Sequence, residues 1–134
     1  IRPAALAAAL RFTGDELDEL ADRFTSPGSA YLADMFEAIL KHTTLEPLYV
    51  ILSETGHLLE WGHHFAYYPS KRHTLSHLNK QVIGAFRQLC GGNADAFADG
   101  IADCYRYTLV CMKKHMIEKY KFYNAANIRI PEKY

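Results

Sequence analysis

Apolar residues recur at helical spacing along almost the whole chain, and no stretch alternates as a half-buried strand would. The clearest case is SAYLADMFEAILKHT, residues 29–43, where Leu32, Met35, Phe36 and Ile39 fall at i, i+3, i+4 and i+7 and form one stripe. Residues 70–90 predict a longer helix whose inward face is Leu75, Leu78, Val82, Phe86 and Leu89. Glycines in the run GGN stop it, and Asn93 or Asp95 is placed to cap the next helix. That helix is expected from about Ala94 to Tyr123, with Phe97, Ile101, Tyr105, Leu109 and Met112 inward.

Upstream, PAALAAALRF (3–12) combines strong helix formers with a proline suited to a first turn. TGDELDELADRF (13–24) offers Thr13 as a cap and places Asp15 and Glu16 at a helix N-terminus, where negative charge is favoured. TSPGS then interrupts the chain. Pro47 opens an apolar helical stretch, LYVILSETGHLLEWGHH (48–64), weakened at Gly56 and Gly62; FAYYPSKR connects it to the following helix. Residues 124–134 read as an irregular tail. The expected fold is all-α, a single domain of about six helices over residues 1–134.

Composition narrows the function. The chain has 134 residues, 49% of them hydrophobic and 13% aromatic, enough for a full core. Fifteen basic and fifteen acidic side chains balance, so nothing draws the chain as a whole to nucleic acid or to an anionic membrane. No apolar run reaches the length of a membrane span. Cys90, Cys104 and Cys111, odd in number and without paired spacing, read as reduced thiols of an intracellular, cytoplasmic protein and as small core residues. The acidic run DELDEL (15–20) reads as the wet face of a short helix, and His42 and His115, each beside lysine, read as solvated. The many tyrosines suit partly exposed faces and contact with a protein partner or a second copy. No nucleophile elbow, phosphate loop or carboxylate pair in an apolar context argues for an enzyme.

Histidine is the remaining chemistry. ETGHLLEWGHHFAYYP (54–69) carries three of the seven, with His63 and His64 adjacent. Adjacent residues on a helix point about 100° apart, so that pair makes poor joint ligands. His73 and His77 are four apart on a predicted helix, a spacing that can hold zinc; two surface histidines account for it better.

The order of helices and the placement of histidines resemble the globin family over roughly residues 9–123. SKRHTLSHLNKQVIGAFRQLCGG is similar to its penultimate helix, and NADAFADGIADCYRYTLVCMKKHMIEKY to its last. SAYLADMFEAILKHT resembles the distal helix and LSETGHLLEWGHH the proximal one. The resemblance implies a haem pocket with Phe12, Tyr31, Leu32, Phe36, Leu59, Phe65 and Leu75 in its walls, and a diatomic gas such as oxygen as ligand. It implies a proximal histidine at His63, one turn after Leu59, with His57 and His64 as alternatives. The distal position falls at Pro27 or Gly28, where the family commonly has histidine. Two helices that precede the first one matched here, about 35 residues, have no counterpart, which suits an N-terminally truncated chain or a minimal or rearranged globin. The alternative expectation is a haem-free globin-like module that serves as an interaction subunit of a larger assembly.

Overall fold

The computed structural model describes residues 1–25, 30–44, 46–54 and 71–120; side chains at 71–74, 112 and 115–120 lie outside that description. Among the described residues there are six helices and no strand: α1 (Arg2–Ala9), α2 (Gly14–Arg23), α3 (Tyr31–Lys41), α4 (46–54), α5 (Lys71–Cys90) and α6 (Ala94–Tyr120). The all-α expectation holds. No helix among the described residues is long and apolar enough to cross a membrane.

The frame is the pair α5–α6. Gly92 sits at φ +81°, the left-handed conformation that a residue with a Cβ adopts at a cost. Its amide donates to the carbonyl of Leu89 at 3.1 Å, and the Asn93 amide reaches back to Gln88 at 2.9 Å, which together close the end of α5. Asn93 then starts α6, its side-chain oxygen accepting from the Ala96 amide at 3.1 Å. One residue therefore closes one helix and caps the next. The capping choice left between Asn93 and Asp95 falls to Asn93, and Asp95 lies in the first turn.

So short a turn folds α6 back along α5 as an antiparallel partner. The two backbones cross closely where Ala85 meets Gly100: a Cβ added to Gly100 would lie 2.9 Å from the Ala85 Cβ. Farther from the turn, the His77 ring stacks on Tyr107 with centroids 4.3 Å apart.

The other helices cover this pair. α1 buries Ala4, Ala5 and Ala8, small side chains that let it lie close on α6. Arg2 fastens its start to α6 through Asp99 at 2.6 Å and Asp95 at 3.2 Å. α3 packs on α5, α1 and α2, with Leu32, Met35 and Ile39 buried as its stripe requires. Its first turn has no cap of its own; the Tyr31 amide donates instead to the side chain of Asn79, on α5, at 3.1 Å. Phe24, just past α2, bridges to both neighbours, with ring centroids 5.0 Å from Tyr31 and 5.2 Å from Phe86.

Two inward assignments and one outward assignment change. Leu109 is 41% exposed, while Thr108 and Val110 are buried. The run 97, 101, 105, 109 advances four residues each time, which drifts about 40° per step and about 120° in all, off the buried face. Thr108 shortens the step, and its hydroxyl is satisfied by the carbonyl of Cys104 at 3.0 Å. Cys90 is exposed at the end of α5, so of the three cysteines only Cys104 is a fully buried core residue. Burial pushes its thiol up to about 12. His42, expected in solvent, is half-buried.

Candidate functional site

The environment of His42 begins at a helix cap. The Thr13 side chain accepts from the Glu16 amide at 3.3 Å, the first half of a capping box. In the reciprocal half, the Glu16 carboxylate would return to the Thr13 amide; here it accepts from the Thr13 hydroxyl at 3.3 Å and faces His42. His42 is the residue that ends α3, and its Nε2 makes a close contact with the Glu16 carboxylate. Phe12 closes the other side, its ring edge-on to the imidazole with centroids 4.9 Å apart. Phe12 itself leans on Phe97 of α6 at 6.5 Å. The pair thus ties α2 to α3 above the core.

The hydrogen bond from His42 holds the Glu16 carboxyl below the usual carboxylate range, assisted by the Thr13 hydroxyl. A carboxylate depressed on folding binds its proton more readily in the unfolded chain. Its contribution is therefore complete above the unfolded value of about 4.3 and is lost as pH falls through the lower folded value. Thermal denaturation from about pH 6 to about pH 3 should show wild type losing stability more steeply than Glu16→Gln. Parallel curves would remove this role from Glu16.

Two recesses flank the pair. A small one of about 70 Å³ lies between α2 and α3, lined by Glu16, Glu19, Arg23, Asp34, Glu37 and Lys41 with Leu20 and Ala38. Arg23 crosses it, 3.0 Å from Glu19 and 3.8 Å from both Asp34 and Glu37. A larger cleft of about 300 Å³ lies between α1 and the junction of α3 with α4. Ala4, Ala7 and Leu48 give it apolar surface; Arg11, His42, Thr43 and Thr44 give it polar edges.

The residues expected around haem are divided. Tyr31 and Leu32 are buried at the start of α3, and Phe36 and Leu75 are partly buried against the same core. Phe36 faces Tyr105 with ring centroids 6.3 Å apart. Phe12 instead sits by His42, which is about 16 Å along α3 from Tyr31. His57, His63, His64, Leu59 and Phe65 lie outside the described residues, as do Pro27 and Gly28. Neither recess is lined by Tyr31, Leu32, Phe36 or Leu75. Among the described residues, no group of three histidine, cysteine, aspartate or glutamate side chains is arranged to hold a metal ion.

Sequence reasoning passed over Glu16, His42 and Arg11. One signal was present: the α3 stripe of Leu32, Met35 and Ile39, extended by three residues, lands on His42. Nothing local joins His42 to Glu16, 26 residues earlier.

No protein-family model matches the chain, and no curated protein or solved structure is significantly similar to it.

Proposed function

We propose that the chain is a globin-like domain that binds haem and, through it, a diatomic gas such as oxygen. The observation that supports this reading is a pair of apolar side chains, Phe36 on α3 and Leu75 on α5. Phe36 and Leu75 pack against the common core yet are only partly buried, so each keeps carbon surface available to a flat apolar group. Leu32 on the same helix as Phe36 is fully enclosed in the core. Tyr31 is buried beside it, its ring over Phe24.

The iron ligand proposed is His63, with His57 and His64 as alternatives, in the segment that leads into α5. Haem, when bound, supplies an iron with one protein ligand and one face open to gas. The chain's own part is to exclude water with the α3 and α5 side chains and to present a neutral imidazole.

Titration of the purified chain with haemin is expected to give a saturable Soret band, lost on alanine substitution of one of His57, His63 and His64. A chain that keeps its helical signal and shows no Soret band would overturn the reading. That outcome would favour the second one, a haem-free interaction module. Its support is the run Tyr49, Val50 and Ile51 on α4, each of them exposed.

A further inference from the structure

We infer that the cleft between α1 and the α3–α4 junction is a binding site for an alkyl monocarboxylate. Its volume of about 300 Å³ is at the lower end of small-ligand sites, and its lining is apolar surface with polar groups at the edge. Ala7 and Leu48 offer carbon to a hydrocarbon tail, with the buried Ala4 at the floor.

The polar groups select the head. The Thr43 hydroxyl is committed to the carbonyl of Ile39 at 3.0 Å. His42 is committed to Glu16, which does not itself line the cleft. Arg11 remains. One of its terminal nitrogens donates to the Thr44 hydroxyl at 2.9 Å, which aims the guanidinium across the cleft edge. Arg2, Arg23 and Arg106 all meet carboxylates, whereas Arg11, like Arg87 on α5, meets none among the described residues. A guanidinium carries five donors in a planar fork that matches a carboxylate with two parallel hydrogen bonds. An oriented cationic fork beside an apolar trough fits an anion with a tail. It fits neither a free alcohol nor a short acid as well.

The probe is octanoate, titrated into the isotopically labelled chain and followed through the amide signals of Thr43 and Thr44. Saturable shifts are expected at those amides. Octanol, which has the tail alone, and acetate, which has the head alone, should each bind at least about tenfold more weakly. Arg11→Gln should weaken octanoate by about tenfold or more while preserving the amide spectrum elsewhere. Ala7→Phe, at an exposed position of α1, should block the trough without disturbing the core. The inference is overturned if octanoate produces no saturable shift at the cleft, if octanol binds as tightly, or if Arg11→Gln and Ala7→Phe bind octanoate like wild type. Haem is absent from every arm, so these outcomes are independent of the haem reading.

Discussion

Phe97→Ala is expected to cost about 3–5 kcal/mol and to lower the melting temperature by about 10 °C or more. Phe97 is fully enclosed on the first turns of α6 and meets Phe12, which in turn closes the side of His42. Truncation forfeits the transfer energy of the ring and leaves a void that helices on both sides would have to shift to fill. The loss approaches the whole stability of an ordinary domain, about 5–15 kcal/mol. Leu109→Ala on the same helix is the internal control. That side chain is 41% exposed, so its truncation should fall within about 0.5 kcal/mol of wild type. Thermal and urea denaturation of both variants decides the matter; comparable losses would mean that the burial pattern along α6 is misassigned.

The second large effect is expected at Gly100. A Cβ there would lie 2.9 Å from the Ala85 Cβ and 3.6 Å from its Cα. Neither atom is the free end of a flexible side chain, so relief requires the helices themselves to separate. Gly100→Val should therefore cost about 2–3 kcal/mol. Gly100→Ala is gentler, because alanine recovers about 1 kcal/mol of helix propensity against the same clash. Replacing Ala85 with glycine at the same time moves the missing methyl from one helix to the other. A double-mutant cycle between Ala85→Gly and Gly100→Ala should show a favourable coupling of about 1 kcal/mol. Strict additivity would place the two backbones farther apart than described.

What could be read from the sequence was what nearest neighbours determine. Thr13 as a cap, the stripe of α3 and the glycine stop after Cys90 each depend on residues within about one or two helical turns. Leu109 was misplaced because a step of four was carried one turn too far, an error of phase rather than of helix type. The Glu16–His42 contact, the capping of Tyr31 by Asn79 and the cleft below Arg11 are different in kind. Each joins residues on separate helices, 26, 48 and 33 positions apart in the last case through Thr44, and no local periodicity encodes such a meeting. Of the residues expected around haem, Leu32 is in the core and Phe36 and Leu75 pack against it partly buried, as a helical stripe alone would place them. Phe12 was not separable by pattern from those residues; only the packing of α1 and α2 carries it to the far end of α3.

The turn around Asn93 also sets an expected order of assembly. Contacts between α5 and α6 grow outward from a loop of three residues, so the entropy lost in closing each is small and paid in increments. The attachment of α1 is the opposite case: Arg2 must find Asp95 and Asp99 across 93 and 97 positions of chain. The hairpin is thus expected to provide the early, local nucleus, and the N-terminal helix to dock late, after the surface it needs exists. Its alanines suit that timing. They ask of α6 a smooth groove rather than interlocking side chains, so the last helix to arrive can settle without reopening what has already formed.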